Sequence, residues 1–305
     1  MYDVVVIAHF ALDIIIKNGE KKPIRLGGPP LYGSMAARRL GGRVGIISKV
    51  GEDFRDEHFL FLSRNGVDVS GIKRCKGPTT RFMLKYHGEE RTEFLKGKCE
   101  QIEVQDIPKQ FLQSQALVIS PIIDEIPLET LKYIAKEGKG HVYLDPSGYI
   151  RSIALNGSGK VILTEWEAMP EYLQYVNVLK ASITEIQTLT KCKNIKSAAK
   201  KIEDLGVEII IITEGSKGSY VQYEGNLVHI PSIKSGKVVD VTGAGDVYIS
   251  AFALEYAKKK DVIKSGAFAT AAVSSKIEGY GVSSLKTRDE IEELSKTLLE
   301  QISKL

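Results

Sequence analysis

Asp240-Val241-Thr242-Gly243-Ala244-Gly245-Asp246 runs directly into an apolar stretch, residues 247–257, that predicts a helix. The small residues 243–245 can form a tight turn with bare backbone N–H groups at the positive end of the helix dipole. Such a turn binds anions, and Asp246 in the first helical turn would direct a carboxylate at the bound anion. A base beside an anion hole is what phosphoryl transfer to a hydroxyl requires. The alternative is an ordinary capped helix, with a residue before the turn as its N-cap.

The heptapeptide and the apolar helix after it resemble the C-terminal signature of the ribokinase-like (PfkB) carbohydrate kinases. Four further segments match that family in the order in which the family has them. These segments are Gly27-Gly28, Lys49-Val50-Gly51-Glu52-Asp53-Phe54, Ser182-Ile183-Thr184-Glu185 and Thr213-Glu214-Gly215-Ser216-Lys217-Gly218. Five ordered matches rarely arise by chance. Their positions extend the resemblance over nearly the whole chain. It implies a phosphotransferase that uses ATP and Mg²⁺, with a monovalent cation as a further candidate cofactor.

Length, charge and cysteine content limit the class of protein. The 305 residues fit one α/β domain that spans 1–305. The net charge is only +4, and no basic run is interleaved with aromatic residues, which argues against nucleic acid as a partner. Cys75, Cys99 and Cys192 lack metal-ligand spacing, so we expect no disulfide framework, no zinc site and a cytoplasmic location. No apolar stretch is long enough to span a membrane, and the first apolar run, 4–7, predicts a strand instead of a signal peptide.

Short β-branched runs alternate with amphipathic stretches along the chain. This alternation predicts an α/β fold: a doubly wound, mainly parallel sheet with helices on both faces, which binds ligands beyond the carboxyl ends of its strands. The predicted strands are 4–7, 44–48, 117–119, 141–144, 161–163, 178–181 and 209–213. The predicted helices include 31–40, 195–205 and 247–257.

Two other regions, 14–26 and 82–95, alternate apolar and polar residues around polar turns. The turns are Asn18-Gly19-Glu20 and His87-Gly88-Glu89-Glu90. Both regions predict hairpins of a small antiparallel β lid. Because the open edges of such a lid invite pairing with another subunit, we expect a homodimer that forms through the lid.

The candidate residues for binding the acceptor lie near the predicted lid. Asp13 follows the first strand, where its carboxylate would hold two substrate hydroxyls, or it is a turn-forming Asp. Gly27 and Gly28 would let a substrate hydroxyl approach a helix N-terminus. The family's usual Asn after this pair is replaced by Tyr32, which either contacts an unusual substrate or packs under the lid. Arg151 ends a DxxGxxR segment that resembles some polyol and nucleoside kinases, and it either contacts the transferring phosphate or forms a surface salt bridge.

The candidate residues for the cofactors come from the resemblance. Glu185 matches the acidic residue of the family's Asn-x-x-Glu motif, which organises Mg²⁺ through water, and Ser182 replaces the Asn. The alternative is that this pair only caps a helix. Gly215 and Gly218 resemble the family's nucleotide-phosphate turn, although Gly-Ser-Lys-Gly is also an ordinary turn. The other residues assigned to the nucleotide are Thr213, Thr242, Thr270 and Gly279.

The preferred hypothesis is a magnesium-dependent kinase that moves the γ-phosphate of ATP to a hydroxyl of a small sugar, polyol or nucleoside. Asp246 would accept the hydroxyl proton, and the amides of Gly243, Ala244 and Gly245 would stabilise the charge. A sugar acid or a hydroxymethylpyrimidine is an alternative acceptor. A nucleotide-binding sensor without catalysis is the alternative from another class, but the intact Asp246 argues against it.

Overall fold

Strands and helices alternate along most of the chain. The computed structural model describes residues 1–17, 19–87, 90–234 and 236–302, so Asn18 and Gly88-Glu89 of the two predicted lid turns lie outside the described residues. The strands are β1 (Val4–Ile7), β2 (Ala11–Lys17), β3 (Glu20–Lys21), β4 (Arg25–Gly27), β5 (Val44–Val50), β6 (Val67–Arg74), β7 (Arg81–His87), β8 (Glu90–Gly97), β9 (Ala116–Ile119), β10 (His141–Leu144), β11 (Arg151–Ile153), β12 (Val161–Leu163), β13 (Val178–Ser182), β14 (Ile209–Thr213), β15 (Ser219–Tyr223) and β16 (Asn226–Ile230). The helices are α1 (Pro29–Arg39), α2 (Asp56–Arg64), α3 (Leu128–Glu137), α4 (Met169–Leu173), α5 (Ile183–Thr190), α6 (Ile195–Glu203), α7 (Ala244–Lys259), α8 (Val262–Lys276) and α9 (Arg288–Ile302).

The central sheet has the strand order β16-β15-β14-β13-β10-β9-β1-β5-β6. Every neighbouring pair from β14 to β6 is parallel, whereas β15 and β16 pair antiparallel at one edge. Parallel neighbours require crossover connections, which the intervening helices supply. The predicted mainly parallel α/β sheet is therefore confirmed.

Alternate residues of the buried strands pack against helices on opposite faces of the sheet. Val4 and Val6 of β1 contact one apolar cluster, to which α1, α7, α8 and α9 contribute. Val5 and Ile7 contact a second cluster on the other face, to which α3, α5 and α6 contribute. This arrangement explains why the central strands are continuously apolar, because both of their faces are buried.

The strand predictions were wrong or incomplete at the margins of the sheet. Residues 161–163 form a strand, β12, but it pairs antiparallel with β11 outside the central sheet, and most of it is exposed. Sequence reasoning also missed β6, β15 and β16. Each of these lies at or near a sheet edge, and each mixes polar with apolar residues because only part of it is buried.

A smaller sheet covers one end of the central sheet and contains the two predicted lid regions. Its strand order is β3-β2-β7-β8, and β4 pairs with the other part of β2. The pairings are antiparallel except between β2 and β7, which run parallel. Asp53, from the KVGEDF segment, anchors the start of β7, because its carboxylate accepts hydrogen bonds from Thr79 N at 2.7 Å and from Arg81.

None of the helices that the structure describes is both long enough and apolar enough to cross a membrane.

Candidate active site

Two cavities meet at the turn that starts α7. The first, of about 860 Å³, lies under the small sheet and is called the lid-side cavity. The second, of about 590 Å³, lies between α8 and the loop after β14 and is called the α8-side cavity. Ala244 and Gly245 line both cavities, and Asp246 lines the lid-side cavity. A group bound at this turn would therefore be accessible from both sides.

Two glycines of the turn leave little room for a side chain. Gly243 has a φ of +76°, and a Cβ there would lie 2.2 Å from Cγ of Tyr32. A Cβ on Gly245 would lie 2.6 Å from Nζ of Lys180. Both glycines thus combine a close approach of neighbouring side chains with an exposed backbone.

The turn offers free amides, but not all of the expected ones. The N–H of Ala244 donates to the carbonyl of Val241 at 3.1 Å, which corrects the expectation that Ala244 supplies an anion-binding amide. Within the described part of the chain, the N–H groups of Gly243, Gly245 and Asp246 have no protein acceptor. Three amides at the N-terminus of a 16-residue helix remain available for an anion.

Asp246 lies beside these amides in the first turn of α7. Burial raises the pKa of Asp246 from 3.8 to about 7, and the neighbouring Asp145 carboxylate adds to this effect. The cations Lys180, Arg151 and Lys276 oppose it. A carboxylate with a pKa near neutrality accepts a proton more readily than an ordinary Asp, which suits a general base.

A buried ion pair lies beneath the turn. Lys180 Nζ contacts Asp145 Oδ2 at 2.7 Å, and both side chains are almost completely buried. Burial alone would raise the pKa of Asp145, but Lys180 holds it below its ordinary value, and Asp145 raises that of Lys180. Sequence reasoning missed Lys180, although a lysine within the apolar strand β13 was the available signal.

Glu185 and Ser182 form the helix-capping pair that the sequence left as an alternative. Glu185 Oε2 accepts a hydrogen bond from Ser182 N at 2.7 Å, and Ser182 Oγ accepts one from Glu185 N. The other oxygen of Glu185 lies 2.7 Å from Oγ of Ser147, which also contacts Asp145. Capping thus leaves Glu185 Oε1 to accept a hydrogen bond from Ser147 Oγ, which links it to Asp145.

The candidate acceptor residues all border or support the lid-side cavity. Asp13 lies over Gly27, where a Cβ would come within 2.7 Å of the carboxylate. Gly28 starts α1 with a φ of +91°, but Pro29 and Pro30 follow it. Because proline has no N–H, the N-terminus of α1 offers few amides, and binding of a hydroxyl at Gly27 and Gly28 stays a prediction.

For Tyr32 the sequence left two alternatives open, contact with an unusual substrate or packing under the lid. Its side chain is only 8% exposed and packs on Gly243, yet it borders the lid-side cavity. Burial and the carboxylates of Asp240, Asp13 and Asp246 raise the pKa of the phenol. The ring is thus mainly a packing element that supports the turn, with one part facing the cavity.

Arg151 connects the site to the small sheet. It lines the lid-side cavity and lies 3.8 Å from Glu93 of β8. Its charge also lowers the pKa of Asp246. Arg151 therefore forms a salt bridge and also lies near the candidate base, whereas its contact with the transferring phosphate stays a prediction.

The candidate nucleotide residues divide between the cavities. Thr213, Gly215, Gly218 and Thr270 line the α8-side cavity. Thr242 lines the lid-side cavity instead. Gly279 is not among the residues that line either cavity, and a Cβ there would lie 2.8 Å from the Ser284 Cβ. The assignment of Gly279 to the nucleotide stays a prediction.

Comparisons of this chain with known proteins agree on one family. A model described as pfkB family carbohydrate kinase matches residues 4–288. A cytidine kinase from Thermococcus kodakarensis is 27% identical over 263 residues, which cover 85% of this chain and 90% of that protein. A nucleoside kinase from Methanocaldococcus jannaschii is 26% identical over 96% of each chain.

A solved structure shares the same architecture. A pyrophosphate-dependent kinase in the ribokinase family, complexed with a pyrophosphate analog and myo-inositol, superposes with a TM-score of 0.80 at 25% identity, over 95% of this chain and 99% of that one. The family match over most of the chain agrees with a glycine turn that joins two cavities beside a carboxylate. The chain therefore belongs to the pfkB family of carbohydrate kinases, and it is a phosphotransferase.

Proposed function

We propose that the protein transfers the γ-phosphate of ATP to a hydroxyl of a small sugar, polyol or nucleoside. The observation that carries this proposal is the position of the α7 turn, which lines both cavities and holds Asp246 on the lid side. A donor in the α8-side cavity and an acceptor in the lid-side cavity would meet at the free amides. Phosphoryl transfer needs such positioning more than it needs covalent chemistry.

The residues of the turn have distinct roles in this proposal. The amides of Gly243, Gly245 and Asp246 hold the transferring phosphoryl group and its developing charge. Asp246 accepts the proton of the acceptor hydroxyl as the new P–O bond forms. Lys180, paired with Asp145 beneath the turn, places a positive charge close to the same point.

The donor set near Glu185 fits a magnesium ion. No group of three or more His, Cys, Asp or Glu in the described ranges could enclose a metal. A Mg²⁺ ion bound to nucleotide phosphates keeps much of its water and needs few protein oxygens, and Glu185 with Ser147 and Asp145 offers such a set. When bound, the ion would neutralise charge on the polyphosphate.

The α8-side cavity supports a nucleotide donor over pyrophosphate. Its lining is mostly apolar and includes Val273 and Ile277 of the α8 end, together with Ile233. Pyrophosphate has no apolar part to bury against these side chains, whereas a nucleobase does. The acceptor side combines Asp13 with Arg151 and aromatic side chains, which suits a polyhydroxyl compound.

Filling the α8-side cavity should weaken the use of ATP. Val273→Trp introduces an indole where the base would bind, and we expect KM for ATP to rise about tenfold or more, equivalent to at least ~1.4 kcal/mol. Initial rates at saturating acceptor measure this change. Val262→Trp, in the first turn of the same helix but outside the cavity, is the matched control and should leave KM unchanged. An unchanged KM in Val273→Trp would point to a donor without a base, such as pyrophosphate.

Removing the carboxylate of Asp13 should weaken acceptor binding selectively. Loss of a charged hydrogen-bond partner costs about 1.5–3 kcal/mol, so Asp13→Ala should lower kcat/KM for the acceptor by roughly 10- to 100-fold. KM for ATP should stay within about twofold, since Asp13 lies on the lid side. Steady-state rates with a panel of sugars, inositols and nucleosides test this, with the helix residue change Asp289→Ala as control. Equal losses for donor and acceptor would remove Asp13 from the acceptor site.

The proposed function as a whole is tested by a donor and acceptor matrix. ATP, other nucleotides and pyrophosphate are combined with sugars, polyols, nucleosides, a sugar acid and a hydroxymethylpyrimidine, and phosphate ester formation is measured. Turnover of one hydroxyl compound with ATP is the expected result. Nucleotide binding without any ester product would favour a sensor. A homodimer that pairs through the lid, and a cytoplasmic location, stay predictions.

A further inference from the structure

The last residue of α8 is a lysine with no exposed surface. Lys276 is 0% exposed, and its ammonium donates a hydrogen bond to the carbonyl of Asp240 at 2.7 Å and another to the carbonyl of Thr242. Its nearest carboxylate oxygen, on Asp240, is 3.9 Å away. A buried charge is costly unless polar groups compensate it. Because no carboxylate lies close, the backbone carbonyls of Asp240 and Thr242 are the main partners of this ammonium.

These carbonyls belong to the segment that leads into the glycine turn. The Asp240 carboxylate accepts a hydrogen bond from Thr242 N at 2.9 Å, so the segment is a tight loop around the ammonium. On another side, Lys276 Nζ lies 5.7 Å from the centre of the Tyr32 ring, which packs on Gly243. The Lys276 ammonium therefore contacts the loop before the glycine turn and lies near the Tyr32 ring, and these two elements support the turn whose amides face the cavities.

Carbonyl and carboxylate oxygens around one point are the ligands that a bound alkali cation takes. The resemblance of the chain left a monovalent cation as a candidate cofactor. At the loop before the glycine turn, the residues do not fit such an ion, because an ammonium already occupies the point where the carbonyls of Asp240 and Thr242 converge.

We infer that Lys276 is a built-in cation that positions the anion-binding turn, and that the protein needs no soluble monovalent cation. This inference rests on the proposed function, in which the amides after Thr242 hold the transferring phosphoryl group. Lys276 is a positioning residue, because its ammonium contacts the loop and not the reacting atoms. Its charge also reaches Asp246, whose pKa it lowers, whereas burial lowers the pKa of Lys276 itself.

The first test uses the unmodified protein. K⁺, Na⁺ and tetramethylammonium chlorides are exchanged at constant ionic strength while kcat and the thermal midpoint are measured. We expect kcat to change less than about twofold and the midpoint to stay constant, because the ammonium already fills the loop. A several-fold rise of kcat in K⁺, or a midpoint that rises only in K⁺, would overturn the inference.

The second test creates the missing cation site. Lys276→Ala should lower kcat by about 10²-fold, the loss expected when reacting groups are misplaced by an ångström, with little change in either KM. Addition of ammonium, K⁺ or n-butylammonium should then raise kcat of Lys276→Ala at least tenfold and raise its thermal midpoint. Lys276→Met, which fills the space without charge, should be equally slow and should not respond to cations. Wild-type kcat in Lys276→Met, or no cation response in folded Lys276→Ala, contradicts the inference.

A control separates this role from a general need for buried cations. Arg288 donates to the carbonyl of Leu40 and pairs with Glu255, away from both cavities. Arg288→Met should lower the thermal midpoint and leave kcat unchanged. If the wild type turns over no acceptor in any salt, the proposed function fails, whereas the midpoint measurements on wild type and Lys276→Ala still decide the inference.

Discussion

Asp246→Asn will bind ATP with near-normal affinity and transfer phosphate about 10²- to 10⁴-fold more slowly than the wild type. The amide is nearly isosteric with the carboxylate but cannot accept the hydroxyl proton. The wild-type kcat/KM for the acceptor should fall tenfold per pH unit below about 7, because burial raises the pKa of Asp246 to about 7 and only the ionised form is a base. Asp246→Asn should lose this dependence. Retained kcat in the variant would remove Asp246 as the base.

The same variant should be more stable than the wild type at alkaline pH. The folded protein holds the Asp246 proton up to about pH 7, whereas the unfolded chain releases it near 3.8, so ionisation destabilises the fold as the pH rises through this window. Asn does not ionise, and we expect a gain on the order of 2–4 kcal/mol at pH 8 that disappears below pH ~3.8. Urea unfolding at both pH values measures it. Asp261→Asn, at the N-cap of α8, is the control and should show no such pH-dependent gain.

Gly243→Ala should lower kcat by about 10²- to 10³-fold, as loss of oxyanion-type donors does in other enzymes. A Cβ at this position would lie 2.2 Å from the Tyr32 ring, so either the ring or the turn must move. The positive φ adds about 1–2 kcal/mol of strain. The measurement is kcat with saturating substrates, together with the free energy of unfolding.

Gly225 provides a matched control for this substitution. It has the same φ of +76°, but nothing lies within 4 Å of its Cβ position. Gly225→Ala should therefore show the strain in its stability and keep wild-type kcat. In a Tyr32→Ala background the clash is absent, and Gly243→Ala should cost less activity than it does in the wild type. Equal costs in both backgrounds would show that the ring does not restrict the turn.

The parts of the fold that the sequence predicted are those with local signals. The central strands are continuously apolar because both faces are buried, and the α7 turn is visible because closely approached glycines stand at 243 and 245. The edge strands β6, β15 and β16 were missed because partial burial leaves a mixed pattern. Residues 161–163 were correctly predicted to form a strand. Its place outside the central sheet depends on its pairing with β11, which the sequence of these three residues does not indicate.

The site was predicted less completely, because several of its contacts join residues far apart in the chain. Lys180 and Asp145 are 35 positions apart, and Lys276 reaches Asp240 from 36 positions away. A lysine within an apolar strand and a lysine ending an apolar helix are local conflicts, and such conflicts occur preferentially at functional sites. The engagement of the Ala244 amide could not be read from composition, because it depends on the fold of the turn.

The central claim is that phosphate passes from ATP to an acceptor hydroxyl at the turn between the two cavities. The most direct test is ³¹P NMR of the protein with ATP, Mg²⁺ and the best acceptor from the binding panel. We predict that the γ-phosphate signal is replaced by that of a phosphate monoester, with ADP formed in equal amount and only trace inorganic phosphate, and that Asp246→Asn forms almost no ester in the same time. Inorganic phosphate without ester, or equal ester formation by Asp246→Asn and wild type, would contradict it.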